Sequence, residues 1–253
     1  MVPRHDPVAD EGGAWQNGVA EDGWWTAERA KFLSERLAPF VPRSGLAFDL
    51  GCGRGEAVEL LAEADAGFVV GVDYEAHPTW RCRAGRVAFV ICDAHHLPFR
   101  PGVADLVVSF DVIEHFADDA APLGAARRMV RDDGVVALTV PANPSLWSPF
   151  DDKVGHHRRY TRETLETATA AAHLEPEETT YFYAWLVPAM WVTRRRDRAQ
   201  SDAVSSGFVS RTIAAVIGGI CRLERWVLRR RDLPFGSSLF IRCRPAPAAV
   251  DGP

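Results

Sequence analysis

The stretch that most constrains the fold is residues 47–55, where an apolar run ends in Asp49 and a loop follows with glycine at every second position, Gly51, Gly53 and Gly55. Apolar residues at helical spacing follow from Glu56 onward. The pattern predicts a β-strand, a tight turn and a helix N-terminus. Glycine in such a turn lets a ligand approach the backbone amides, which a side chain would prevent. We therefore expect an α/β protein with a ligand site at its first turn.

The spacing of this loop differs from that of a dinucleotide-binding turn. The pattern G-x-G-x-x-G has its third glycine inside the helix, and in this chain Glu56 stands at that position. Asp49 instead offers a carboxylate to the cationic amino-acid end of a ligand. The alternative is any α/β enzyme with a glycine-rich first turn, and the loop by itself leaves that alternative open.

Apolar runs and helical patterns alternate along most of the chain. They predict a strand that begins near residue 46 and further strands over residues 67–73, 87–93, 104–110, 135–140, 179–187 and 237–243. A helix capped by Thr26 is predicted before the first strand, and others over residues 57–64, before Gly134 and over residues 162–172. Since the apolar runs are nearly continuous, we expect strands buried on both faces, in a mostly parallel sheet with helices on each side.

Three acids, Asp49, Asp73 and Asp93, end apolar runs that are predicted to be strands. Ligands of open α/β sheets bind beyond the carboxyl ends of the strands. Asp73 comes 18 residues after Gly55, where an acid can accept hydrogen bonds from both hydroxyls of a ribose. Asp93, followed by Ala94, stands where an acid can accept from an adenine amino group. A single strand-end acid is often only a turn former or a helix cap, so the set of three indicates adenosine more specifically than any one member.

Composition and charge argue against several classes of protein. The five cysteines include no C-x-x-C pair, which fits a reducing cytoplasm and argues against a structural zinc. Residues 1–13 are polar, unlike a signal peptide, and no apolar run approaches the roughly 18 residues of a membrane span. The net charge of −5 argues against a general nucleic-acid binder. We therefore predict a cytoplasmic protein, either a monomer or a homodimer.

Six motifs occur in order between residues 20 and 185. They are Asp49-Leu-Gly-Cys-Gly-Arg-Gly55, Gly71-Val-Asp73, Asp93-Ala94, Leu97-Pro-Phe99, Asp111-Val-Ile-Glu-His115 and Val140-Pro-Ala142. Together they resemble the type-11 methyltransferase group of the class I S-adenosylmethionine-dependent methyltransferases. The chain departs from the family pattern at residues 132–134, where Asp-Asp-Gly replaces the usual Lys/Arg-Pro-Gly-Gly turn.

The resemblance implies a Rossmann-like fold with a seven-stranded sheet, a helical cap, and S-adenosylmethionine as the cofactor. Residues that it assigns to the cofactor are Trp25, Arg29, Asp49, Gly51, Cys52, Gly53, Gly55, Asp73, Tyr74, Asp93, Ala94, Phe110 and Asp111. Residues at the position of Trp24, Trp25 and Arg29 commonly form a lid over the cofactor in this family, and Arg29 could pair with the cofactor carboxylate. The alternative is an amphipathic helix that only packs on the sheet edge.

Methyl transfer mainly requires alignment and desolvation, because the positive charge of the sulfonium donor already activates it. A hydroxyl acceptor also requires a base, and the candidates are His115, His156 and His157. The alternative for His115 is a hydrogen bond that braces the pocket, and for the other two a solvated loop surface. We expect no metal ion, because the spacing of a known metal motif is missing.

The long loop over residues 143–160 begins at the carboxyl end of the predicted fifth strand. Its position and its His, Arg and Tyr content predict the acceptor side of the site. The residues expected to bind the acceptor are Trp147, Asp151, Arg159 and Tyr160. A narrower subset of the family carries similar residues here, but its substrates are generally undefined.

We predict a flexible lead over residues 1–22, a methyltransferase domain over residues 23–245 and a disordered tail over residues 246–253. A helical insertion is expected at residues 188–232. Ten arginines and four acids between Arg194 and Asp232 give that region a charge of +6 and leave −11 on the remainder. Apolar residues recur in it at helical spacing. This helix either packs on the domain, lies on an anionic membrane surface or lines a pocket for an apolar or anionic acceptor.

The predicted function is transfer of a methyl group from S-adenosylmethionine to a small-molecule or lipid-linked acceptor, at oxygen. One rival is a binding protein that keeps the cofactor fold without catalysis. The other is a nicotinamide-dependent oxidoreductase, which Glu56 and the lack of a Tyr-x-x-x-Lys pair disfavour.

Overall fold

A computed structural model describes residues 24–93, 96–188, 190–191 and 211–247, which fold around a seven-stranded sheet. The strands are β1 (Leu46–Leu50), β2 (Phe68–Asp73), β3 (Val87–Ile91), β4 (Ala104–Phe110), β5 (Val130–Pro141), β6 (Leu174–Phe182) and β7 (Ser238–Pro245). The helices are α1 (Trp24–Leu37), α2 (Glu56–Glu63), α3 (Ala120–Met129), α4 (Pro149–Lys153), α5 (Arg162–Ala171) and α6 (Arg211–Leu228). None of the helices within these ranges is long and apolar enough to cross a membrane.

The strand order β3-β2-β1-β4-β5-β7-β6 makes the sheet mostly parallel. The first five strands in that order are parallel to one another, and β7 runs antiparallel between β5 and β6. The carboxyl ends of β1 to β5 therefore share one edge, which we name the carboxyl edge. The chain switches direction across the sheet between β1 and β4, and a crevice for a ligand opens at such a switch point. The predicted seven-stranded, mostly parallel sheet is confirmed.

Two apolar cores form because successive side chains of each strand point to opposite faces of the sheet. On one face, α1, α2 and α6 contribute Phe32, Val58 and Cys221 among others. On the other face, α3 and α5 contribute Leu123 and Leu165. Helices on both faces, as predicted from the apolar strands, are confirmed.

α6 packs along α1, beside the carboxyl edge. Its Arg225 pairs with Glu28 and Glu35 of α1. Its Glu224 accepts hydrogen bonds from the backbone N–H groups of Tyr183, at 2.9 Å, and Ala184, at 2.7 Å. Those two residues follow the end of β6, which lies at the carboxyl edge because Phe182 and Pro141 both pair with Ser238. α6 therefore supports α1 at that edge.

Several predicted boundaries were wrong. α1 begins at Trp24, so Thr26 lies inside the helix and does not cap it. The sixth strand is Leu174–Phe182 and not 179–187, because Tyr183 turns the chain with a φ of 58°. β3 ends at Ile91, two residues before Asp93. β5 starts five residues before the predicted position.

Some predictions concern residues outside the described ranges. They are the lead at 1–22, Ala94, residues 189 and 192–210 of the predicted insertion, and residues 248–253 of the predicted tail. Within the predicted tail, Ala246 still donates a backbone hydrogen bond to the carbonyl of His173, at 2.9 Å.

Candidate active site

The glycine loop after β1 lies at the switch point of the sheet. Gly51, Gly53 and Gly55 have φ values of 74°, 47° and 85°, which a side chain would disfavour. The backbone N–H groups of Gly51 and Cys52 donate to the carbonyl of Val72 and tie the loop to β2. A Cβ atom on Gly51 would lie 2.5 Å from Val112, whereas a Cβ on Gly53 would meet nothing within 4 Å. The loop is therefore packed on one side and open on the other, as a ligand cradle requires.

An aromatic pair supports the loop, and the sequence patterns did not predict it. Trp80 donates its indole N–H to the carbonyl of Gly53 at 2.7 Å and stacks on Phe89 with ring centroids 4.6 Å apart. Thr79 donates to the carbonyl of Arg54 at 2.6 Å. The local signal was only a lone tryptophan in the segment after β2. These contacts hold the loop in shape without a bound ligand.

Asp73 ends β2 beside the loop and is buried. Its Oδ2 accepts from the backbone N–H of Gly53 at 2.7 Å, and its Oδ1 accepts from that of Tyr74 at 2.8 Å. Each carboxylate oxygen has more than one acceptor site, so the pair can still accept from two ribose hydroxyls. The Tyr74 ring is 68% exposed, so any contact with a ligand is made from the rim of the site.

Asp49 is the last residue but one of β1, two residues before the first glycine of the loop, and it is buried. Burial first, and then the charge of Asp73, raise the pKa of Asp49 to about 8. The carboxyl group is therefore mostly protonated near neutral pH, and a cation beside it would favour ionisation. The ammonium of an amino-acid end is such a cation. Together the open face of the loop, Asp73 and Asp49 fit the sugar and the amino-acid end of S-adenosylmethionine.

Arg29 of α1 reaches the ends of β4 and β5. Its Nη2 lies 2.8 Å from Asp111 Oδ2 and donates to Thr139 Oγ1 at 3.0 Å. Its guanidinium carbon lies 5.8 Å from the centre of the Phe110 ring. Its Nε is buried and has no hydrogen-bond partner among the residues described. The Arg29 guanidinium was predicted to bind the cofactor carboxylate, but its Nη2 pairs with Asp111. Its Nε is the atom that can still donate to a further acceptor.

Two other residues predicted to bind the cofactor lie near the rim. Trp25 packs its ring on Tyr183, with centroids 4.1 Å apart, which anchors α1 against the segment after β6. The Asp93 side chain is half exposed, and its Oδ2 lies 3.7 Å from His96 Nδ1. Cys52 is buried, and burial raises the pKa of its thiol, so it is not a nucleophile.

A second group of polar residues lies at the carboxyl edge, beyond β4 and β5. Glu114 and His115 belong to a one-turn 3₁₀-helix, Ile113–His115, and His156 comes from the long loop. The His115 and His156 rings meet edge to face with centroids 4.8 Å apart, and His156 Nε2 lies 3.8 Å from Glu114 Oε1. Burial, and then His156, lower the pKa of His115 to about 4, so it is neutral at pH 7. Burial, and then Asp111, raise the pKa of Glu114 well above its ordinary value.

A buried network fixes His156. Its Nδ1 lies 3.0 Å from Asp151 Oδ1, and Arg159 lies 2.7 Å from the same oxygen. The other oxygen of Asp151 accepts from the backbone N–H of Ser148 at 2.8 Å. Burial would raise the pKa of Asp151, but the hydrogen bonds from His156 and Arg159 outweigh it and hold the pKa below its ordinary range. Asp151 is therefore an anion that orients His156.

The other loop residues predicted to form the site are either buried within the loop or exposed at its surface. Tyr160 is buried and donates to Asp119 at 2.7 Å, and Arg159 is buried against Asp151 and the carbonyl of Ala142. Both therefore shape the loop from within. His157 is exposed, although its backbone N–H donates to the carbonyl of Glu114. Trp147 is 37% exposed and donates to Asp152 at 3.1 Å.

Known proteins support the cofactor assignment. Residues 48–138 match the family model described as a methyltransferase domain. A protein of Mycolicibacterium smegmatis named "Probable S-adenosylmethionine-dependent methyltransferase" is 31% identical over 169 residues, 64% of this chain and 63% of that protein. The 27-O-demethylrifamycin SV methyltransferase of Amycolatopsis mediterranei is 31% identical over 132 residues, 46% of this chain and 48% of that protein. Other curated relatives include a tRNA methyltransferase of Xenopus tropicalis.

Among solved structures, geranyl diphosphate methyltransferase in complex with S-adenosylmethionine matches with a TM-score of 0.57 and 19% identity, over 92% of this chain and 95% of that one. At that identity the match concerns the fold. The chain spans only about half to two thirds of the length of the two curated methyltransferases compared above. The fold, the glycine loop and these matches agree: residues 48–138 match a methyltransferase domain, and the chain is similar to proteins named as S-adenosylmethionine-dependent methyltransferases.

Proposed function

We propose that the protein transfers the methyl group of S-adenosylmethionine to a hydroxyl oxygen of a small-molecule or lipid-linked acceptor. The acceptor would bind between the glycine loop and residues 143–160. The observation that carries this proposal is the pairing of the part-buried His156 with the buried Asp151 at the carboxyl edge, with the second histidine nitrogen facing Glu114. A base held in this way is required by a hydroxyl acceptor and not by the cofactor.

Residues at the cofactor end have distinct roles in this proposal. Asp73 accepts hydrogen bonds from the ribose hydroxyls, and Asp49, once ionised, pairs with the ammonium of the amino-acid end. Arg29 offers its unpaired Nε to the cofactor carboxylate, and Trp25 holds α1 over the site. The cofactor itself supplies an activated methyl group, so these residues contribute position and exclusion of water.

His156 is the proposed base. With Nδ1–H donating to Asp151, Nε2 carries the free lone pair. The methyl carbon forms a bond to the acceptor oxygen as its bond to sulfur breaks, and the electron pair of that bond stays on sulfur. The hydroxyl proton goes to His156 Nε2. The anionic Asp151 stabilises the imidazolium that forms, as a carboxylate does in other His-based catalysts.

The exchange His156→Ala tests this role. It should lower turnover by roughly 100-fold or more, the usual contribution of a general base, while S-adenosylhomocysteine binds as before. His157→Ala is the matched control, because His157 is the exposed neighbour on the same loop, and it should change turnover little. Loss of cofactor affinity in His156→Ala would instead assign the loop to the donor side of the site.

The outer face of α6 favours a lipid-linked acceptor. We define this face by its exposed apolar residues Val216, Ile220, Leu223 and Trp226. Exposed arginines flank it at 222, 229, 230 and 231, and the guanidinium of Arg230 lies 4.2 Å from the centre of the Trp226 ring. Apolar residues with tryptophan and flanking cations are typical of helices that lie on an anionic membrane surface. We propose that surface as the occupant of this face.

Sedimentation with vesicles of equal parts phosphatidylglycerol and phosphatidylcholine tests the membrane contact. The protein should co-sediment at low salt, and the double exchange Leu223→Gln and Trp226→Gln should abolish this. The control Phe150→Gln changes an exposed ring elsewhere and should have no effect. The wild type could instead stay in the supernatant as a dimer that the double exchange converts to a monomer. In that case a second copy of the chain covers this face and the membrane proposal is wrong.

A nucleic-acid acceptor is disfavoured by the net charge of −5, because binding to nucleic acid relies on cations that neutralise phosphates. A cytoplasmic location and a monomeric or homodimeric state remain predictions from the sequence.

A further inference from the structure

The Glu114 carboxyl group is buried at the carboxyl edge. The residue is fully buried, and neither carboxylate oxygen has a hydrogen-bond partner within the part of the chain that the structure describes. The two arginines whose charge acts on it pair with other acids, Arg29 with Asp111 and Arg159 with Asp151. Burying a carboxyl group without a hydrogen bond is costly. Its presence at the carboxyl edge indicates that a bound group completes its coordination.

Two histidine nitrogens converge on this carboxylate. Glu114, His115 and His156 each offer one ligand atom, and these three atoms lie within 4.8 Å of one another. Ligands bound at about 2.1 Å in tetrahedral or octahedral geometry lie roughly 3.0–3.4 Å apart. Side-chain rotations that move the atoms by about an ångström would therefore close the site around one ion.

The surroundings of the two histidines also suit a metal ion. His156 uses Nδ1 for Asp151, which in turn is held by Arg159 and Ser148, so its Nε2 is fixed toward the cluster. A carboxylate behind a metal-binding histidine orients the ring in this way in known sites. His115 is hydrogen-bonded to the backbone of Gly155, which similarly fixes the orientation of its ring.

We infer that Glu114, His115 and His156 form a binding site for one divalent transition-metal ion. Two imidazoles and one carboxylate suit Zn²⁺, Fe²⁺, Mn²⁺ or Co²⁺, whereas Mg²⁺ and Ca²⁺ prefer a shell of oxygen ligands. Three protein ligands leave positions open for a further oxygen donor. This inference revises the expectation from sequence that no metal binds, because the ligands come from two separate loops.

The role of the ion rests on the proposed function. The open positions would bind the acceptor oxygen, and coordination favours loss of the hydroxyl proton to solvent. The methyl carbon would still form its bond to the acceptor oxygen as its bond to sulfur breaks, with or without the ion. His156 would then act as a ligand, and the metal would replace it as the group that activates the hydroxyl.

Metal binding can be measured without turnover. Untagged full-length protein, stripped with a chelator, is titrated with Zn²⁺ by calorimetry and with Co²⁺ by visible absorption. We expect one ion per chain. Glu114→Gln and His156→Ala should each weaken binding about 100-fold or more, because even the loss of an outer carboxylate partner costs 10–100-fold. Asp151→Asn should weaken metal binding 10–100-fold, since Asp151 is such an outer partner, and His157→Ala should bind the metal as tightly as the wild type.

S-adenosylhomocysteine affinity shows whether each variant is folded, since the cofactor contacts lie elsewhere. Wild-type protein that binds Zn²⁺ no better than the Glu114→Gln and His156→Ala variants would overturn the inference. Turnover that survives chelation but is lost in His156→Ala would overturn the role given to the ion, and would leave the proposed function, with His156 as the base, intact. Metal binding as expected in a protein without methyl transfer would support the site and contradict the proposed function.

Discussion

Asp49→Asn tests the electrostatics at the centre of the cofactor site. Burial and Asp73 raise the pKa of Asp49 to about 8 from an ordinary value near 3.8. The folded protein therefore holds a proton that the unfolded chain releases. Stability from this group is fully present in acid, below the unfolded pKa, and is lost as the pH rises toward about 8. Asparagine has nearly the same shape and stays neutral at every pH.

The expected size follows from the pKa. Each pH unit between the two pKa values changes the free energy of unfolding by 1.36 kcal/mol. Between about pH 5 and pH 8 the wild type should therefore lose about 4 kcal/mol relative to Asp49→Asn. That is a large part of the 5–15 kcal/mol that usually stabilises a folded domain. In the proposed function Asp49 pairs with the cofactor ammonium, and at pH 7 the ionisation that this requires would cost about 1.4 kcal/mol of binding free energy.

Urea unfolding of both proteins at about pH 5 and pH 8.5 measures the effect. Other titrating groups, including His115, cancel in the difference between wild type and variant. Calorimetry in two buffers adds a second readout, since S-adenosylhomocysteine should release roughly one proton on binding the wild type near pH 7 and fewer on binding the variant. A stability difference that does not change with pH would mean that Asp49 is already ionised, and the reasoning would fail.

Two further exchanges test single contacts. Asp73→Asn should weaken S-adenosylhomocysteine binding about tenfold or more, because charged hydrogen bonds to the ribose are worth roughly 1.5–3 kcal/mol; calorimetry that finds an equal loss in the exposed control Asp132→Asn would contradict this. Arg225→Met should destabilise the protein by about 3 kcal/mol, near the lower end for breaking a buried ion pair, because Glu28 is buried and, among the described residues, would keep Lys31 alone as an ion-pair partner. Urea unfolding measures this loss, and an unchanged midpoint would show that α6 does not support α1.

The sequence by itself determined the parts of the site that lie close together along the chain. Asp49 and Asp73 lie at the carboxyl ends of apolar strands and the glycine loop follows the first of them, and parallel strands bring their carboxyl ends to one edge. The order of strands and helices could be predicted for the same reason, since it depends on local periodicity. The ends of strands could not be predicted in the same way. The chain turns at Tyr183, which has a positive φ, and no residue type in the sequence marks that turn.

The helical spacing of α6 predicted a helix but not the surface each face meets. Cys221 and Leu228 are buried against the domain, whereas Leu223 and Trp226 are exposed. All four are apolar, so the pattern could not separate them. Packing against α1 and the end of β6 decided which face is covered.

Tertiary structure alone decided which side chains meet at the proposed acceptor side. Glu114 and His156 come from different loops, and Asp151 and Arg159, predicted to touch the acceptor, are buried behind His156. Arg29 likewise meets Asp111 only because α1 packs at the carboxyl edge. Charge and burial depend on which side chains are brought together in space, and residue spacing along the chain carries little information about contacts between distant segments.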